Sequence, residues 1–186
     1  MDQEILLNLI RKKICDNNTF CLIEKIIRSF EKIENKGLPL GNVTSQLFAN
    51  IYLNELDQFV KHKLKIKHYL RYCDDFVILG EEGKYLSYLV NVIDNFLWSN
   101  LKLRLHSDKI IIRKYQQGID FLGYVVLPHY RVLRTKTKRR ILKKIEARKR
   151  DFKNDSISEK SFNQRLQSYL GVLSHCCGYK ITKKLI

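Results

Sequence analysis

The sequence predicts an α+β fold: a small antiparallel sheet with helices on one face, followed by a basic helical region. Three observations carry that expectation. Apolar residues recur at helical spacing on both sides of residues 68–79, where two short runs rich in β-branched and aromatic residues meet. Further strand-like runs lie between residues 101 and 126, so strands and helices interleave. From residue 131 the composition turns cationic, with 12 basic side chains against Glu146 and Asp151 over residues 131–153.

The chain has 186 residues, 45% of them apolar, enough for one sizeable core with a small appended subdomain. Its 35 basic and 19 acidic side chains leave a net charge of +16, which implies a polyanionic partner, nucleic acid ahead of an anionic membrane surface. No apolar run approaches the roughly 18 residues of a membrane span. Met1-Asp2-Gln3-Glu4 lacks the basic and apolar regions of a signal peptide. Cys15, Cys21, Cys73, Cys176 and Cys177 form no Cys-x-x-Cys pair, so free thiols and a cytoplasmic location are expected. Cys176 and Cys177 beside His175 lack the fourth ligand of a zinc site.

The elements follow in order. Ile5, Leu6, Leu9, Ile10 and Ile14 place a helix over residues 4–14. A second is expected over residues 19–33, capped by Asn18 or Thr19, with Leu22, Ile23, Ile26, Ile27 and Phe30 on its buried face. Gly37-Leu38-Pro39-Leu40-Gly41 is a turn cluster that feeds a helix over residues 46–62, capped by Thr44 or Ser45. A glycine loop entering a helix N-terminus offers N–H groups and a positive dipole end to a phosphate, although a plain loop-to-helix junction reads the same way.

Residues 68–73 and 76–79 form a hairpin with Asp74 and Asp75 at its tip. Adjacent carboxylates repel, and a tight turn lets both converge on one spot. Mg²⁺ suits such a pair because it takes one or two carboxylates and keeps several waters. An acidic turn without chemistry gives the same local pattern. A helix is expected over residues 83–100, then strands over 101–106 and 109–113, then a strand-turn-strand over 118–126 with Gly123 in the turn. Ile141, Leu142, Ile145 and Phe152 give residues 131–153 the apolar stripe of a helix with a basic face, and residues 158–179 supply the last helix.

In this order, the blocks at residues 37–41 and 45–53, Tyr72-Cys73-Asp74-Asp75, residues 103–109 and Phe121-Leu122-Gly123-Tyr124 resemble the palm and thumb of a reverse transcriptase. The wording looks most like bacterial enzymes of the diversity-generating retroelement, retron and group II intron kind, and the resemblance covers about residues 2–175. It implies a partial polymerase palm over residues 1–130 and a basic helical thumb over 131–186. Asp74 would be a ligand of two catalytic Mg²⁺ ions, or of Mn²⁺ in their place, with Asp75 beside it as a weaker ligand. Lys109 falls where the family has a lysine near the leaving phosphates. Pro39, Gly41, Asn42, Gln46 and Tyr72 would line the pocket for deoxynucleoside triphosphate and template. Phe121, Leu122, Gly123 and Tyr124 would grip the primer end. Arg134, Lys136, Lys138, Arg139, Arg140, Lys143 and Lys144 would track the backbone of an RNA template and DNA primer.

The resemblance also marks a departure. The first catalytic aspartate and the fingers of the family lie upstream of the segment that residues 2–7 match. Another polypeptide is therefore expected to supply them, and this chain alone is expected to be a poor polymerase or none. Neither Asp16 nor Asp57 is placed to substitute. The alternative is a non-catalytic nucleic-acid binder built from the same parts.

Overall fold

The computed structural model describes residues 1–30, 35–38 and 43–185. The chain divides into two compact units, residues 1–112 and 113–186. The fold is α+β, as the sequence predicts, with the strands in two small antiparallel sheets, one in each unit.

The first unit opens on α1 (Gln3–Arg11), whose N-cap Asp2 accepts the Ile5 N–H at 3.1 Å. Helix α2 (Asn17–Arg28) is capped by Asp16, which accepts the Thr19 N–H at 2.7 Å. It therefore starts before the expected cap at Asn18 or Thr19 and ends well before residue 33. Its buried face is also narrower than its apolar arc. Ile27 is fully buried, but Leu22 is 61% exposed, because α2 packs chiefly on α1 alone.

Helix α3 (Val43–Gln58) begins at Val43 and is continued by a wider, π-type turn over Phe59–Lys63. Thr44 and Ser45 thus lie in its first turn and are not its caps; hydroxyl residues are tolerated there because first-turn N–H groups lack intrahelical acceptors. Strands β1 (Tyr69–Tyr72) and β2 (Asp75–Ile78) pair with Tyr69 opposite Ile78 and Tyr72 opposite Asp75. Helix α4 (Gly83–Leu101) stops at Lys102, which adopts the left-handed conformation at φ 51°.

The two strands expected over residues 101–113 do not form. Leu103 and Leu105 are half-buried against the core while Lys102, Arg104 and His106 are exposed, so the alternation is present. It describes an extended segment with one covered side, and among the described residues no neighbouring strand completes it. The Leu105 N–H donates instead to Asp94 Oδ1 at 2.9 Å. A short 3-10 turn over Ser107–Lys109 follows, and Ile110, Ile111 and Ile112 are exposed.

The core of this unit joins Leu6, Leu7 and Ile10 of α1, Ile27 of α2, Phe48, Tyr52 and Leu56 of α3, and Leu89, Ile93, Leu97 and Leu101 of α4. Two polar groups cross it. The Tyr52 hydroxyl donates to the Leu101 carbonyl at 2.6 Å, and burial pushes its pKa up to about 12. The buried Gln3 carboxamide donates to the carbonyls of Ile27 and Phe30 at 3.0 and 2.8 Å, and the Gln3 N–H donates to the Asn35 carbonyl at 3.0 Å. With the Asp2–Lys36 bridge, these bonds anchor Asn35 and Lys36 to the start of the chain.

The second unit contains the sheet β3 (Ile119–Phe121), β4 (Tyr124–Val126) and β5 (Arg131–Leu133), paired in that order. Leu122 and Gly123 make the β3–β4 turn with φ of 52° and 84°, the signature of a type I′ hairpin. Strand β5 corrects the sequence reading, which began the basic helix at residue 131. Val132 pairs with Val125 and Leu133 is buried, so a β-branched and an apolar residue complete the sheet before α5 (Thr135–Lys153) starts.

Helix α6 (Glu159–Ser174), capped by Ser158, ends short of residue 179, and α7 (Tyr179–Leu185) follows as a separate helix. Gly178 lies against Leu173 so closely that an added Cβ would sit 2.9 Å from Leu173 Cδ2, and the chain turns at that contact. The core of this unit is Leu133, Ile141, Ile145 and Leu173. The compact units part at residues 112 and 113, whereas the palm and thumb that the resemblance implies part at 130.

Candidate functional site

The β1–β2 hairpin reverses in two residues, Cys73 and Asp74, enclosed by the Tyr72–Asp75 pair. Cys73 has φ 52° while Asp74 keeps a negative φ, the sign pattern of a type II′ turn. Glycine is the usual residue at the first position, because a Cβ at positive φ costs about 1–2 kcal/mol.

Behind the turn lies a network that joins it to α3. Arg71 Nε and Nη2 hold both carboxylate oxygens of Asp57, at 2.8 and 2.6 Å. Arg71 Nη1 donates to Asn50 Oδ1 at 3.1 Å and to the Cys73 carbonyl at 2.7 Å. The Tyr69 hydroxyl donates to Asp57 Oδ1 at 2.7 Å. The side chains of Arg71 and Asp57 are 11% and 26% exposed, so this pair is screened far less than a surface one. Burial opposes ionisation of Asp57, but the hydrogen bonds from Arg71 and Tyr69, with the charge of Arg71, outweigh it and hold the carboxyl below its ordinary range. Burial, reinforced by the bond to Asp57, raises the Tyr69 hydroxyl and keeps it a donor.

Asp74 and Asp75 are exposed, and neither carboxylate has a partner among the described residues. Two adjacent oxygen donors open to solvent fit a hard divalent cation that keeps water in its remaining positions. Among the described residues no group of three or more His, Cys, Asp or Glu side chains stands together as a metal site. Asp57 has both oxygens engaged and Asp16 caps α2, so neither offers a further ligand at the hairpin.

The other residues singled out from the sequence fall as follows. Tyr72 is 59% exposed at the end of β1. Gln46 is exposed in the first turn of α3, one turn before the Asn50 that reaches Arg71. Pro39, Gly41 and Asn42 lie outside the described residues. Lys109 is exposed at the end of its 3-10 turn, with no partner among the described residues.

In the second unit, Phe121, Leu122, Gly123 and Tyr124 form the tip of the β3–β4 hairpin, with Leu122 47% exposed and the Tyr124 hydroxyl donating to the Val172 carbonyl at 3.0 Å. Arg134 precedes α5 and pairs with Asp120 at 2.8 Å, so part of its charge is met within the chain. Lys136, Lys138, Arg139, Arg140, Lys143 and Lys144 are exposed on α5. Ile141 and Ile145 point into the core, which at 100° per residue puts Lys136, Arg140 and Lys143 on the outward ridge. Sequence reasoning missed Asn50, Asp57, Tyr69 and Arg71. The available signal was the spacing of Tyr69 and Arg71, which share one face of β1.

No described helix is long and apolar enough to cross a membrane. All five cysteines are free. The reverse transcriptase (RNA-dependent DNA polymerase) family profile matches residues 3–126. Similar proteins include the putative COX1/OXI3 intron 2 protein of Saccharomyces cerevisiae, 24% identical over 66% of this chain and 22% of that protein. Protein YkfC of Escherichia coli is 27% identical over 64% of this chain and 42% of its own length. The group II intron-encoded protein LtrA of Lactococcus lactis subsp. cremoris is 26% identical over 67% of this chain and 32% of its own. The chain thus aligns with between 22% and 42% of the length of these relatives. The matched span runs from α1 through the acidic hairpin to β4, and on that ground the chain belongs to the reverse transcriptase family.

Proposed function

We propose that this chain contributes the carboxylate hairpin and the duplex-holding thumb of an RNA-directed DNA polymerase, which adds deoxynucleotides to a primer 3′ end on an RNA template. The observation that carries the reading is the pair Asp74 and Asp75, exposed and unpartnered among the described residues, on a constrained turn in a chain of this family. Asp74 holds divalent metal, Mg²⁺ or Mn²⁺, with Asp75 beside it. When bound there, the metal supplies Lewis acidity for phosphoryl transfer.

The chain's own residues supply position and charge. Lys109 offers an ammonium group to the leaving phosphates. Pro39, Gly41, Asn42, Gln46 and Tyr72 line the nucleotide and template pocket. Phe121, Leu122, Gly123 and Tyr124 steady the primer end, and Arg134, Lys136, Lys138, Arg139, Arg140, Lys143 and Lys144 follow the duplex backbone. In these roles residues 1–130 act as palm and 131–186 as thumb. The names of two relatives refer to introns, which supports a retroelement RNA as template. Free cysteines fit action in the reducing cytoplasm.

A further carboxylate and the fingers come from a segment upstream of the one that residues 2–7 match, on this polypeptide or another. Loss of a metal-bridging carboxylate costs roughly thousandfold in rate. The test is primer extension on an RNA template with Mg²⁺, with and without a supplied fingers segment that carries the upstream aspartate. Extension that requires the segment and vanishes in Asp74→Asn supports the proposal. Tight RNA–DNA duplex binding with no extension in either condition leaves the non-catalytic binder. That second reading draws on the net charge of +16, which favours duplex binding with or without chemistry.

A further inference from the structure

We propose that Arg71 is a positioning residue that selects the orientation of the peptide between Cys73 and Asp74, and through it the way Asp74 and Asp75 are presented. Types I′ and II′ share a positive φ at the first turn residue. They differ by a flip of the central peptide, which takes the second residue to positive or negative φ. In this hairpin the central carbonyl is that of Cys73, and it is the group that Arg71 Nη1 holds at 2.7 Å.

The guanidinium is itself fixed. Its bidentate pair with Asp57 sets its plane, and Tyr69 holds the same carboxylate from the side. Both Nη1 hydrogens are then directed, one at Asn50 and one at the turn. Asn50 and Asp57 lie on α3, so the turn is referenced to a helix. Without this hold nothing in the local sequence selects II′. Cys73 is not glycine, and aspartate is one of the few residues that tolerates the left-handed region, so Asp74 can follow a flip. Lysine cannot replace the arrangement, because a point charge does not span Asp57 and the Cys73 carbonyl together.

The conformational part stands by itself; only its consequence for metal rests on the reading of Asp74 and Asp75 as ligands. NMR of the full chain separates the two. A strong amide–Hα Overhauser effect within one residue marks a positive φ. The wild type is expected to show it at Cys73 and not at Asp74. In Arg71→Lys it is expected at Asp74 as well, with Mn²⁺ affinity measured by electron paramagnetic resonance lowered about tenfold. The double variant Arg71→Met/Asp57→Leu removes both charges, so a fold lost to an unpaired buried acid does not decide the outcome. The same gain at Asp74 in that variant supports the proposal. An unchanged turn in the folded variants overturns it, even if Mn²⁺ still binds. A turn that flips in a protein whose wild type binds no Mn²⁺ sustains the positioning role and defeats the metal reading instead.

Discussion

Asp57 is partly buried near the end of α3 yet is held ionised by Arg71 and Tyr69. Its folded pKa is depressed, so the stability it contributes is fully present above about pH 4, its unfolded value, and is lost as the pH falls through the folded value. Urea denaturation from neutral to acid pH checks this. Wild type is expected to exceed Asp57→Asn in stability near neutrality, and the gap to shrink steadily below about pH 4; a gap independent of pH contradicts the assignment. The acidic pair was legible because adjacency is a property of sequence, but the turn falls one residue earlier than the apolar runs suggest, at Cys73 and Asp74, and Asp75 opens β2. The Arg71–Asp57 pair was not legible, because residues 14 apart meet only once α3 and β1 are packed.

At the scale of elements, periodicity identified the long helices among the described residues, and the two hairpins with two-residue turns, β1–β2 and β3–β4, were found from apolar runs broken by short polar or glycine turns. The errors fell where one pattern serves two structures. Residues 103–106 alternate like a strand because one side rests on the core, but the Leu105 N–H is met by Asp94 and not by a neighbouring strand. Strand β5 was hidden because Arg131 and Arg134 share the composition of the helix that follows. Gly118 tests how tightly the β3–β4 ribbon is set. It has φ 79°, and a Cβ there would lie 2.6 Å from Val125 Cγ1. Gly118→Ala is therefore expected to cost about 1–3 kcal/mol in chemical denaturation, through backbone strain and displacement of Val125. A change within experimental error contradicts that packing.

Across the whole molecule the charge is divided unevenly between the two units. Residues 113–186 carry 19 basic and 5 acidic side chains, net +14, against 16 and 14, net +2, for residues 1–112. Attraction to a polyanion is therefore concentrated in the second unit, around α5. Replacing Lys136, Arg140 and Lys143 together by glutamine is expected to weaken RNA–DNA duplex binding. It is also expected to lower the slope of log affinity against log salt by about 2–3, since each phosphate contact releases a counterion. Fluorescence anisotropy over a salt series measures both, and an unchanged slope contradicts contact through that ridge. The carboxylate hairpin belongs to the first unit, where Asp74 and Asp75 are exposed to solvent.

The most direct test of that hairpin as a divalent-metal centre is the amide NMR spectrum of the full chain titrated with Mn²⁺. Paramagnetic broadening is expected to appear first at Cys73, Asp74 and Asp75 and to disappear in Asp74→Asn. Broadening that begins elsewhere, or that survives the loss of Asp74, contradicts it.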